Sequence, residues 1–111
     1  MSVIALLAST ATIYGDHDKA WRQFVLDHRD EIRADSTVRE IDPDVMAIVR
    51  GNMTRYLRDY AKTPADIEWI VFIINALPSN IEFVGVRELY VPDANVVARY
   101  YDMYQTSIAQ D

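Results

Sequence analysis

The side chains with chemical potential in this sequence are two histidines, several carboxylate pairs, scattered serines, one basic stretch and a group of tyrosines. His17 and His28 are the only histidines. On one helix they would lie within about 20° of a common face but about three turns apart, too far to share a metal ion. His28 falls among Val25 and Ile32 and reads as a ring on a packed face, while His17 reads as a first-turn surface residue. Asp42/Asp44 and Asp30/Glu31 stand where caps and solvated faces put acids, and a glycosidase pair would need a cleft and a carboxyl of raised pKa. Ser36, Ser79 and Ser107 have no neighbouring His and no nucleophile elbow, so a hydrolase has nothing to start from. The sequence contains no Cys, which removes thiolate metal sites, disulfides and cysteine nucleophiles. The expectation is a protein without catalytic residues, cofactor or metal.

Two groups suit contacts with other proteins instead. Arg50, Arg55, Arg58 and Lys62 make the one basic stretch, and Arg55, Arg58 and Lys62 share a helical face at spacings of three and four. Such a face is either a solvated exterior or a contact for an acidic neighbour. Tyr100, Tyr101 and Tyr104 point to more than one side of a helix, so they do not all enter one core. A tyrosine ring buries area while its hydroxyl stays wet, so Tyr101, Met103 and Tyr104 are the expected partner-binding residues, with Tyr104 and Met103 as anchor.

These groups need elements to position them. The chain has 111 residues, half of them hydrophobic and a quarter charged, with 3 Gly and 4 Pro, which suits one compact domain. A net charge of −6 and pI near 4.7 disfavour nonspecific binding to nucleic acid or anionic lipid and favour a protein partner. The uncharged run over 69–81 is shorter than the roughly 20 residues that cross a bilayer, so no membrane span is expected. Residues 1–15 are uncharged, but no Lys or Arg precedes their apolar part; they read as mature sequence rather than a secretory leader, and 3–14 suit a strand or a docked extended arm.

Asp16 suits an N-cap, and Trp21, Val25, His28 and Ile32 then predict an amphipathic helix over 17–34. A short strand is predicted within 36–41, stopped by Asp42-Pro43, which begins the next helix. Gly51-Asn52 should bend or restart that helix. Thr63-Pro64-Ala65-Asp66 predicts a helix start with Thr63 as cap and Pro64 as first helical residue. The run over 67–77 is so apolar that Trp69, Ile70, Phe72, Ile73 and Asn75 are assigned to the centre of the molecule. Residues 81–86 read as extended, 88–91 as a strand stopped by Pro92, and Asp93 or Asn95 as cap of a last helix to about Ile108.

Asp66-Ile67-Glu68-Trp69 with its aliphatic run to Asn75, then Phe83-Val84-Gly85, then Leu89-Tyr90-Val91-Pro92, resembles the LysM-like baseplate proteins of contractile-tailed bacteriophages. The likeness is best over 66–92 and looser over 37–92. It implies an α+β, mainly α fold: a LysM-like strand-helix-helix-strand core over 36–92, an N-terminal arm and helix over 1–35, and a C-terminal helix over 93–111. It also implies that Trp69 packs between helices and that Asn75 bonds the backbone entering the second strand. The implied role is a structural subunit of a phage virion, a baseplate wedge or tail component assembled in the host cytoplasm and docked to other tail or baseplate proteins. Two other readings are a LysM-type glycan-binding module and a small acidic inhibitor of a nucleic-acid-binding protein.

Overall fold

The structure, a computed structural model, describes residues 18–109, with side chains through Ser107. The expected arm over 3–14, the Asp16 cap and His17 lie outside the described residues. Two short helices, α1 (Lys19–Asp27) and α2 (Arg29–Asp35), lead into strand β1 (Thr37–Glu40). Helices α3 (Pro43–Val49), α4 (Met53–Asp59) and α5 (Glu68–Ile74) follow, then strand β2 (Glu88–Val91) and helix α6 (Ala94–Ala109). The fold is α+β and mainly α, with β1 and β2 paired antiparallel, Val38 opposite Tyr90.

The single helix expected over 17–34 is two. Asp18 caps α1, its Oδ1 accepting from the N–H groups of Ala20 at 3.0 Å and Trp21 at 3.2 Å. At His28 the ring folds back onto the preceding turn, stacking on Phe24 at 4.0 Å with Nδ1 2.8 Å from the Phe24 carbonyl oxygen. That oxygen also accepts the His28 N–H, the backbone turns to φ −111°, ψ 16°, and α2 restarts. Further along, the chain restarts as expected: Gly51 at φ +76° gives its N–H to Phe83 O at 2.7 Å, and Asn52 Oδ1 caps α4 through Arg55 N–H. Asp42 and Asp93 cap α3 and α6.

Three boundaries differ from expectation. The Thr63 hydroxyl does not cap: Pro64 is extended, a 3₁₀ turn over Ala65–Ile67 intervenes, and Thr63 Oγ1 is buried with no hydrogen-bond partner. Residues 80–82 form a 3₁₀ turn rather than extended chain, because Asn80 Oδ1 is held by the Thr54 N–H at 3.0 Å. Helix α5 stops at Ile74, short of Leu77. Ala76 N–H bonds Ile73 O and Leu77 N–H bonds Phe72 O, with Ala76 at φ +56° between them. An L-residue with a Cβ is strained there, so Ala76→Gly is expected to raise stability by about 0.5–1 kcal/mol, read as a shift in urea midpoint at unchanged slope.

Helix α5 lies between two apolar clusters. Its Val71 joins Met53, Tyr56, Leu57, Phe83 and Leu89 beside the sheet. Its Ile70 and Ile74 join Trp21, Val25, Ile32, Val97, Tyr100 and Tyr104 beside α1, α2 and α6. Asn75 ties this helix to the sheet. Tyr90 N–H donates to Asn75 Oδ1 at 2.9 Å, while Asn75 Nδ2 donates to Tyr90 O and to Val71 O, both at 2.8 Å. One carboxamide thus supplies the donor and acceptor that a third strand would offer to the outer edge of β2.

Candidate functional site

Of the five residues assigned to the centre, Ile70 is fully enclosed and Asn75 is half-buried with its amide bonded. Trp69, Phe72 and Ile73 pack at the margins of the clusters, Phe72 against the first and Trp69 and Ile73 against the second, and are half-buried rather than wholly enclosed. Helix α5 has three sides, and the two apolar clusters cover two of them. The third, with Phe72 and Ile73 about one turn beyond Trp69, faces an open groove of about 970 Å³. Across it α1 offers Arg22 and Leu26, and α2 begins with Arg29. Leu77, Pro78 and Ser79 close one end, where the left-handed turn at Ala76 directs the chain out of the helix.

The groove is held on a stiff frame. The Trp69 indole N–H donates to Asp66 O at 2.9 Å, and its ring meets the buried Trp21 edge-on at 6.2 Å. Arg29 Nη1 reaches only the Leu26 carbonyl oxygen, at 3.2 Å, and neither Arg22 nor Arg29 is ion-paired among the described residues. The floor is therefore apolar and aromatic, and the rim is cationic.

The basic stripe expected at Arg55, Arg58 and Lys62 does not form. Helix α4 ends at Asp59, and Lys62 sits beyond it at φ +55° in a turn closed by Thr63 N–H on Leu57 O. Arg55 faces Asp59 at 3.6 Å, and Arg58 Nε donates to Glu68 Oε1 at 3.0 Å, so two of the three cations already hold carboxylates.

The tyrosine assignment also changes. Tyr104, expected as partner anchor, is 6% exposed, and its hydroxyl donates to Asp18 Oδ2 at 2.9 Å. The same carboxylate that caps α1 thereby receives the last helix, and the ring is consumed inside the chain. Tyr101 is half-buried, its ring edge-on to Trp21 at 4.9 Å, whereas Met103 is 44% exposed. Tyr100 is buried and donates to Asp35 Oδ2 at 2.6 Å, beside Arg99 on the same oxygen.

Burial, reinforced by the Asp35 carboxylate, pushes the Tyr100 phenol from its ordinary 10 up to about 12. Tyr104 moves up too, through burial and then Asp18. Both shifts favour the neutral phenol in the folded state. The Tyr100 contribution is complete below the unfolded value near 10 and is lost as pH rises from there through about 12. Urea midpoints are expected to fall across that window, and Tyr100→Phe should flatten the fall.

Sequence reasoning missed Arg22, Leu26 and Arg29. Their spacing of four and three was the available signal, a stripe beside the buried Trp21–Val25 face. Among the described residues no group of three His, Asp or Glu could hold a metal ion, and no described helix is long and apolar enough to cross a membrane. No family model, curated protein or solved structure matches this chain.

Proposed function

We propose that this chain is a noncatalytic docking subunit of a larger assembly, a LysM-like structural piece of a phage virion that joins neighbouring tail or baseplate proteins. The observation that carries the docking role is the groove lined by the part-buried Trp69, Phe72 and Ile73 on a helix whose other residues are held in the two apolar clusters. A preformed apolar groove binds with little ordering cost, since its side chains already have their positions. The virion context rests on the residue pattern of 66–92. It is supported by the antiparallel pairing of β1 with β2 across the three helices α3, α4 and α5 that separate them, and by the Asn75 bond to β2.

The acidic-inhibitor reading draws less support, because Asp35, Asp59 and Glu68 are spent on arginines rather than gathered on one face. For the glycan reading, retention on peptidoglycan is the discriminating measurement, and none is expected. The direct test is mass spectrometry of purified particles from a producing host. The chain should be present at a fixed copy number relative to tail proteins. Its absence from particles, with no complex on co-expression with the products of adjacent genes, would contradict the proposal.

A further inference from the structure

We infer that the occupant of the groove is an acidic amphipathic helix of a partner protein, carrying carboxylates beside an apolar stripe; this rests on the docking reading above.

The shape of the walls selects a helix. Arg22 and Leu26 of α1, with Arg29 at the start of α2, form one ridge, and Trp69, Phe72 and Ile73 of α5 form the other. A helical stripe at i, i+3, i+4 and i+7 fits between two such ridges. An extended peptide would need an open strand edge, and at Tyr90, beside the one sheet, the outer backbone groups of β2 are already taken by Asn75.

The charge selects acid. Arg22 and Arg29 are the charged residues of the groove lining, no carboxylate stands among the lining residues, and neither arginine is ion-paired among the described residues of a protein whose net charge is −6. An apolar stripe would cover Phe72 and Ile73, and flanking carboxylates would reach Arg22 and Arg29 in a groove that excludes water as it fills.

The test uses the full chain and two labelled synthetic helices of about 14 residues with the same leucine stripe, one with two glutamates flanking it and its twin with lysines there. The glutamate peptide should bind at least about tenfold more tightly than the lysine twin, as two ion pairs at a partly covered rim allow. Arg22→Glu with Arg29→Glu, both on exposed side chains, should reverse that preference while leaving the melting curve unchanged. Added salt should weaken the glutamate peptide selectively.

Equal binding of the two peptides would overturn the inference, as would unaltered preference in the double variant. Chain dimerisation that Phe72→Glu abolishes would overturn it as well, since the groove would then hold a second copy. Presence in particles together with equal peptide binding removes only the acidic helix. Absence from particles together with the expected charge preference removes only the virion context.

Discussion

Truncating Trp21 to alanine is expected to cost about 4 kcal/mol of stability, a large share of the roughly 5–15 kcal/mol that holds a domain of this size. Trp21 has no exposed surface and stands where α1, α5 and α6 meet. Its ring lies 5.5 Å from Tyr104, 4.9 Å from Tyr101, 6.0 Å from Phe24 and 6.2 Å from Trp69. Alanine leaves a cavity bounded by rings too large to collapse into it. Trp69 is the informative contrast, because it is the same residue type on the groove side of the same contact. Its truncation is expected to cost about 2 kcal/mol, since part of its area faces water in the folded chain as well as the unfolded one. Urea unfolding followed by far-ultraviolet circular dichroism measures both. Equal losses would mean that Trp69 belongs to the core and that the groove has no exposed aromatic floor.

Asn75→Ala is expected to cost about 3 kcal/mol, by leaving the N–H and C=O of Tyr90 without the partners that complete the edge of β2. The strands have only four residues each, so the sheet has little to spare. Asn75→Asp is expected to be no better at neutral pH. Its carboxylate still accepts from Tyr90 N–H, but it sets a negative oxygen against the carbonyls of Tyr90 and Val71 where Nδ2 now donates. Acidification restores a donor to that carboxyl, so the aspartate variant should gain on wild type as pH falls, whereas the alanine variant should not. Hydrogen exchange at Tyr90 N–H gives a local reading: faster exchange is expected in the alanine variant, and unchanged protection would mean that Asn75 does not hold the strand edge.

Asn75 was legible in the sequence because a carboxamide amid an apolar helix needs partners, and β2 was legible because Leu89-Tyr90-Val91 is stopped by Pro92. The restart at Gly51-Asn52 and the caps at Asp42 and Asp93 were legible for the same local reason: turn and cap chemistry is written in residue type. Two helix ends were not. Their left-handed residues are Lys62 and Ala76, where glycine would have marked the stop, so α4 and α5 were drawn too long and Lys62 was placed on a stripe it never joins.

The groove was hidden by the uniformity of the sequence that forms it. When nearly every residue from 67 to 77 is apolar, periodicity distinguishes no face, and only the placement of α1 and α2 decides which side stays open. Tyr104 and Met103 were confused for a related reason. Adjacent residues on α6 point apart, and the one facing Asp18 is decided by where α1 begins, which is one turn before the buried Trp21.

The proposed docking role rests on the third face of α5. Hydroxyl-radical footprinting of the free chain and of the same chain inside its assembly reads that face residue by residue, with the enclosed Leu57 as internal reference. The expected result is strong oxidation of Trp69, Phe72 and Leu77 in the free chain and protection of all three on assembly. Equal oxidation of those three side chains in both states would contradict it.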